Sequence, residues 1–283
     1  MDKKERYAMN IEFVKDNNYV CPVCKQPLTP TISRLFCRQD GVEYHVKNGI
    51  PDFVVEGLTK STNPVLRSVD KLDDLAKIYE GPSWLGIMDK INAELGLPSY
   101  EHMQKMITEM VDTENGVGLD VACGTGALAR SVTKKMPIIY GIDISMDMLE
   151  KATEYARERG IENIRFARSR AEKLPFPDGV FDWVTCTGAL HTFPNTAEAL
   201  KEMARVMKRG ARLAVLTFLK QGLSTLGMTI ERLGASKYLE EGALEAMHFF
   251  DVEELDRYLS QTGFREFVYD IYGPAILFHA EKG

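Results

Sequence analysis

The feature that most constrains this chain is the run Val117-Gly118-Leu119-Asp120-Val121-Ala122-Cys123-Gly124-Thr125-Gly126. It reads as a short buried strand, a glycine turn and then a helix over 127–135, the opening of a βαβ unit. Gly124 and Gly126 let backbone approach a ligand closely, and the helix N-terminus behind them offers free N–H groups. One strand later, Ile138-Ile139-Tyr140-Gly141-Ile142 ends at Asp143, where a carboxylate can accept from two ribose hydroxyls. Such a chain folds as an α/β, doubly wound, Rossmann-like sheet with a nucleotide-type ligand at its strand ends.

The spacing Gly124-x-Gly126-x-x-Ala129 also fits a dinucleotide fingerprint, with Asp143 as the ribose acid. Asp120 separates the two cofactors. A carboxylate at the strand tip repels a pyrophosphate, whereas S-adenosylmethionine has no phosphate and carries an ammonium and a sulfonium. The residues therefore favour S-adenosylmethionine over a nicotinamide or flavin nucleotide.

The stretch resembles the class I methyltransferases, especially the group with the ubiquinone/menaquinone methylases, through LDVACGTG and the GIDIS that contains Asp143. The resemblance is specific within 117–213 and looser from about residue 70 to the C-terminus. It implies a seven-stranded sheet and S-adenosylmethionine contacts from Asp120, Ala122, Cys123, Gly124 and Gly126 at the turn. Asp143, Ile144 and Met148 would follow at the ribose and adenine, Thr187 at the end of the fourth strand, and Tyr79 from the segment ahead of the first strand. Arg170, Ala171 and Glu172 lie in what resembles the adenine-contact loop. There Arg170 stands where the family has Asp, and a guanidinium has no acceptor. The adenine edge then falls to backbone at Arg170 and Ala171, or to Glu172. His191, just past the fourth strand, is the catalytic general base by position and by a pKa near neutrality. The alternative is a packing histidine beside Phe193.

At 283 residues the chain holds one sizeable domain and a small appendage. Its net charge of −6 argues against a broad nucleic-acid footprint. No apolar run reaches membrane-spanning length and MDKKERYAMN has no signal-peptide core, so the expectation is a cytoplasmic protein without membrane contact. In that compartment the five cysteines read as metal ligands or free thiols rather than disulfides.

Residues 1–60 form the appendage. Cys21-Pro22-Val23-Cys24 is a cysteine knuckle and Cys37 follows, but the fourth position holds Asp40, with His45 as another ligand within reach. The stretch from Tyr44 to Phe53 resembles the end of zinc-ribbon modules that precede some methyltransferases. A structural zinc on Cys21, Cys24, Cys37 and Asp40 stands against a degenerate ribbon held by Leu35, Phe36, Tyr44, Ile50 and Phe53.

Residues 61–115 read as a helical linker and cofactor lid, beyond linker-like composition over 57–64. Leu72, Leu75, Ala76, Ile78 and Tyr79 recur at helical spacing until Gly81-Pro82 stops them, and amphipathic stretches follow over 84–97 and 100–111. Residues 116–283 are the S-adenosylmethionine-binding domain. Its insertion over 220–250 carries Met228, Ile230, Leu233, Tyr238, Leu239, Met247, His248 and Phe249, and reads as a substrate lid. The whole implies methyl transfer from S-adenosylmethionine to a small-molecule acceptor. One alternative is an rRNA guanine methyltransferase, since one such group also joins a cysteine knuckle to this fold; the acidic balance counts against it. The other is a non-catalytic S-adenosylmethionine-binding protein, favoured by Arg170 and the incomplete cysteine set.

Overall fold

The computed structural model describes residues 18–31, 33–55, 62–68, 76–111, 116–234 and 240–283. Leu72, Leu75, Tyr238 and Leu239 lie outside them, as does most of the 57–64 linker.

The parallel core is β5 (Val117–Val121), β6 (Ile138–Asp143), β7 (Ile164–Arg168), β8 (Phe181–Thr187) and β9 (Met207–Phe218). These strands are near-continuous apolar runs because both faces of the sheet are covered. The antiparallel pair β10 (Phe264–Tyr272) and β11 (Ala275–Lys282) closes one edge, with β11 lying between β9 and β10. The order β7-β6-β5-β8-β9-β11-β10 places the switch point between β5 and β8, beside the glycine turn that leaves β5, with Asp143 at the end of the neighbouring β6.

The N-terminal ribbon does not stand apart. Its strands β1 (Thr29–Pro30), β2 (Arg34–Phe36), β3 (Glu43–Lys47) and β4 (Ile50–Asp52) extend the same sheet to eleven strands. β4 runs parallel to β7 with Asp52 opposite Arg168, and the Arg168 guanidinium donates to the Asp52 carboxylate at 3.0 Å. One apolar core runs through both parts, with Leu35, Tyr44 and Phe53 packed together with Leu119, Tyr140 and Phe176. Tyr19 lies 5.4 Å from Phe53, 5.8 Å from Tyr140 and 5.4 Å from Phe176, ring to ring. Aromatic groupings of this kind contribute beyond their buried area.

The helices are α1 (Pro64–Arg67), α2 (Pro82–Leu95), α3 (Tyr100–Glu109), α4 (Ala127–Ser131), α5 (Met146–Glu158), α6 (Thr196–Val206), α7 (Leu223–Arg232), α8 (Ala243–Ala246) and α9 (Val252–Thr262). Local chemistry sets their ends. Pro82, read in the sequence as a stop, is instead the first residue of α2, where its missing N–H costs nothing. Ser99 and Ser145 cap α3 and α5 through their hydroxyls. α4 ends at Ser131, short of the expected 135, and turns follow it. The insertion over 220–250 packs against α2 rather than forming a free flap. Leu226 and Phe249 share a core with Ile91, Leu95, Leu97 and Met103.

Candidate functional site

At the end of β5 the chain turns through Ala122, Gly124 and Gly126, all with left-handed φ, at 58°, 53° and 75°. The two glycines serve different ends. A Cβ on Gly126 would lie 2.9 Å from the Phe166 ring, whereas a Cβ on Gly124 would meet nothing within 4 Å. Gly126 therefore lets the turn pack on the sheet, and Gly124 faces open space.

Asp143 holds the turn from the next strand. One of its carboxylate oxygens accepts from the Gly124 N–H at 2.8 Å and the other from the Ser145 N–H at 2.9 Å. Asp120 is 1% exposed and sits one residue inside the strand end, accepting from the Thr185 hydroxyl at 2.7 Å. Burial, with the nearby Asp143 charge adding, pushes its carboxyl up to about 7 despite the Thr185 bond.

Above the strand ends lies a cavity of about 450 Å³. Ala122, Cys123, Gly124 and Asp143 form its polar end, with Ile144 and Met148 beside them. Arg170, Ala171 and Glu172 wall that end, Thr187 borders it from β8, and Tyr79 closes it from the lid segment, its ring stacked on Trp84 at 4.5 Å. Asp120 and Gly126 lie behind this wall. The Arg170 Nε donates to one Glu172 oxygen at 3.4 Å, and the other, Oε1, is buried with no hydrogen-bond partner. The buried Trp84 Nε1 is likewise unpartnered.

Among the described residues, the other end of the cavity is apolar and carries no charged side chain. α2 presents Trp84, Met88 and Asn92 at four-residue spacing, and α3 presents Tyr100, Met103, Gln104 and Ile107. Leu216, Phe218, Phe193 and Met247 complete it. Its polar groups include the Trp84 indole N–H, the Asn92 amide and the pair in which the Gln104 amide donates to the Tyr100 hydroxyl at 3.1 Å. Burial, and then the Glu80 charge, push the Tyr100 phenol up to about 12. The charged residues lining the cavity, Asp143, Arg170 and Glu172, all lie at the cofactor-like end. Sequence patterning missed Trp84, Asn92, Tyr100 and Gln104, though their i, i+4 recurrence was visible.

A clasp ties the lid segment to the glycine turn. The Glu80 carboxylate accepts from both the Thr125 hydroxyl and the Arg130 guanidinium, and the Tyr155 hydroxyl donates to the Tyr79 carbonyl at 3.0 Å. The Arg130 guanidinium also lies 5.2 Å over the Tyr155 ring.

His191 does not line the cavity. It sits in a 3₁₀ turn over Leu190–Thr192, its ring stacked 5.6 Å from Phe249 and edge-on to Phe218 at 5.1 Å. Burial pushes its pKa down to about 4, so the imidazole is neutral at pH 7. Its Nδ1 lies 3.3 Å from the Thr217 hydroxyl. Phe218 of β9 and Phe249 stand against the ring, and His191 is not among the residues that line the cavity. In the 220–250 segment it is Met247, not α7, that lines the cavity.

In the ribbon, the ligand atoms of Cys21, Cys24, Cys37 and Asp40 all lie within 4.8 Å of one another. Cys24 Sγ is 3.5 Å from Cys37 Sγ, and Asp40 Oδ2 is 3.0 Å from Cys21 Sγ and 3.5 Å from Cys37 Sγ. Tetrahedral zinc, with bonds of roughly 2.0–2.3 Å, has donor–donor edges near these values. His45 is outside the cluster, on β3 opposite Arg34 and Asp52.

A family model described as a methyltransferase domain matches residues 119–215, the segment from β5 into β9. An uncharacterised methyltransferase of Bacillus subtilis is 39% identical over 98 residues, covering 35% of this chain and 39% of that protein. A demethylmenaquinone methyltransferase of Anoxybacillus flavithermus is 34% identical over 133 residues, covering 45% of this chain and 56% of its own length. The ubiquinone/menaquinone biosynthesis C-methyltransferase of Geobacter sulfurreducens is 28% identical over 220 residues, covering 66% of this chain and 85% of that one. The chain thus spans about half or less of the first two relatives. The crystal structure of the Bacillus protein superposes with a TM-score of 0.54 at 20% identity, over 65% of this chain and 99% of that one. The matched segment lies on the strands that build the cavity, so residues 119–215 are similar to a methyltransferase domain, and the chain has the α/β fold of the structure it superposes on.

Proposed function

We propose that the protein is an S-adenosylmethionine-dependent methyltransferase acting on a small, uncharged, largely apolar molecule. The observation that carries this reading is the cavity with two unlike ends, one shaped by the glycine turn and Asp143 and the other without a charged side chain among the described residues. Asp143 would take the ribose hydroxyls, and the unpartnered Glu172 Oε1 the adenine amino group. Arg170 then has a use where it had looked out of place, since it holds the other Glu172 oxygen. Ala122, Cys123 and Gly124 border the methionine part, and Tyr79 covers the cofactor from the lid. Bound S-adenosylmethionine supplies the electrophilic methyl group. The protein contributes orientation and exclusion of water, the largest available terms for a displacement of this kind.

An anionic or cationic acceptor would lose its hydration at the apolar end without a compensating charge, which disfavours phosphorylated and ammonium substrates. Two relatives are named for quinone methylation, and an aromatic ring with an oxygen function fits the same lining. The ribbon would hold one structural zinc on Cys21, Cys24, Cys37 and Asp40. All five cysteines are unpaired, which supports work in the reducing cytoplasm. Among the described residues no helix is long and apolar enough to cross a membrane.

Calorimetry tests the cofactor. S-adenosylhomocysteine should bind and NAD should not; binding of NAD alone would overturn the assignment. Metal analysis should find about one zinc per chain, lost in Cys24→Ser.

A further inference from the structure

The loop over 169–176 carries Arg170, Ala171 and Glu172 to the cavity, and its two ends are held differently. At its start the Ser169 N–H donates to the Asp143 carbonyl at 3.0 Å, inside the methyltransferase sheet. At its end the partners come from two sides, the cysteine knuckle and α6. The Val20 N–H donates to the Pro175 carbonyl at 2.9 Å. The Lys25 ammonium donates to the Leu174 carbonyl at 3.2 Å and to the Glu202 carboxylate at 2.8 Å. That same Glu202 oxygen accepts from the Leu174 N–H at 2.9 Å, so both backbone groups of Leu174 are held at one point. Arg205 completes the anchor, donating to the Leu174 carbonyl at 3.2 Å, to the Phe176 carbonyl at 2.8 Å and to Glu202 at 2.9 Å, so Lys25 and Arg205 share the Leu174 carbonyl.

Lys25 is bound into the knuckle itself. Its N–H donates to the Cys21 carbonyl at 2.9 Å, and its own φ of 59° is left-handed, a conformation rare for a non-glycine residue. The direction in which its side chain leaves the knuckle therefore depends on the turn between Cys21 and Cys24. Glu202 is 6% exposed, and a buried carboxylate is held strongly to its cations.

We propose that Lys25 is a positioning residue for the 169–176 loop, through which order in the cysteine knuckle sets the placement of Arg170, Ala171 and Glu172 in the cavity. The consequence for the cofactor rests on the reading of this cavity as the S-adenosylmethionine site; the consequence for the loop does not. A knuckle that loosens, by loss of a metal or oxidation of its thiols, removes one of the two cations on the Leu174 carbonyl, leaves Glu202 and Arg205 to hold that end alone, and so loosens the loop and weakens adenosine binding without touching a residue at the ligand.

The test compares the full chain, Lys25→Met and Lys25→Arg, with the chain treated with a chelator as a further arm. The first readout is amide hydrogen exchange over 169–176 in the absence of ligand. Faster exchange there in Lys25→Met, with the β5 and β6 amides unchanged and protection restored in Lys25→Arg, is the expected result. The second readout is S-adenosylhomocysteine affinity. It should fall roughly five-fold or more in Lys25→Met, the lower range of site-to-site coupling, while the knuckle's metal content stays at the parent value. Unchanged exchange over 169–176 in Lys25→Met overturns the proposal. Absence of S-adenosylhomocysteine binding in the parent chain would instead strike the functional reading and leave the exchange result to decide the role of Lys25.

Discussion

At the scale of single residues, Asp143 organises the cofactor end, and Asp143→Ala should remove both the ribose acceptor and the brace on the Gly124 N–H. The expected loss in S-adenosylhomocysteine binding is about 1.5–3 kcal/mol, measured by titration calorimetry. Asp120 makes a prediction in pH. Its carboxyl is pushed up to about 7 in the fold, against roughly 3.9 in an unfolded chain, so folding favours its protonated form. The stability it contributes is fully present below pH 4 and is lost as the pH rises through 7. Asp120→Asn should therefore gain stability relative to the parent across that window, by about 1.4 kcal/mol per pH unit in urea denaturation. His191 has the opposite sign. With its pKa pushed down to about 4 from an unfolded value near ~6.5, its contribution is present above that value and lost as the pH falls through 4. The turn and Asp143 were legible in the sequence because glycine spacing and a strand-end acid are local signals. The seat of His191 was not, because it depends on Phe218 and Phe249, which only tertiary packing brings to its ring.

At the scale of elements, the cavity is roofed by α2 and α3, and α7 lies behind them. The sequence marked α2 and α3 as amphipathic and the 220–250 insertion as a substrate lid but gave no sign of which layer faced the ligand, since Met, Leu and aromatic residues serve a cavity wall and a core equally well. The geometry separates them. Trp84, Met88 and Asn92 face inward, while Leu226 of α7 packs in the core behind α2. Leu226→Ala should cost about 2–3 kcal/mol in stability, within the range for truncating a buried leucine. Its functional effect should fall on the acceptor: turnover with S-adenosylmethionine declines while S-adenosylhomocysteine affinity stays within a few fold. An equal loss of both would mean that α7 supports the cofactor end instead.

At the scale of the whole molecule, the sequence showed two modules where the fold has one continuous sheet. The knuckle spacing and the glycine turn were each readable alone, but the single register pair between β4 and β7 leaves no mark in either stretch. Removing residues 1–55 should uncover the edge of β7 together with Tyr140 and Phe176, leaving an open strand and an apolar surface. Size-exclusion chromatography of that truncation should show aggregation; a monomer that binds S-adenosylhomocysteine with parent affinity would show the ribbon to be dispensable.

The joint between ribbon and sheet also has a consequence in time. Asp52 and Arg168 are 116 residues apart along the chain, and Lys25 and Glu202 are 177 apart. During synthesis the ribbon is made well before the strand and helix that receive it, and contacts of such separation form slowly. Until β6 and the 169–176 loop arrive, Tyr19, Phe53 and Leu35 have only one another and Tyr44 to pack against. A metal held by the cysteine knuckle would close that small turn early, keeping the first part of the chain in a form that the last part can complete.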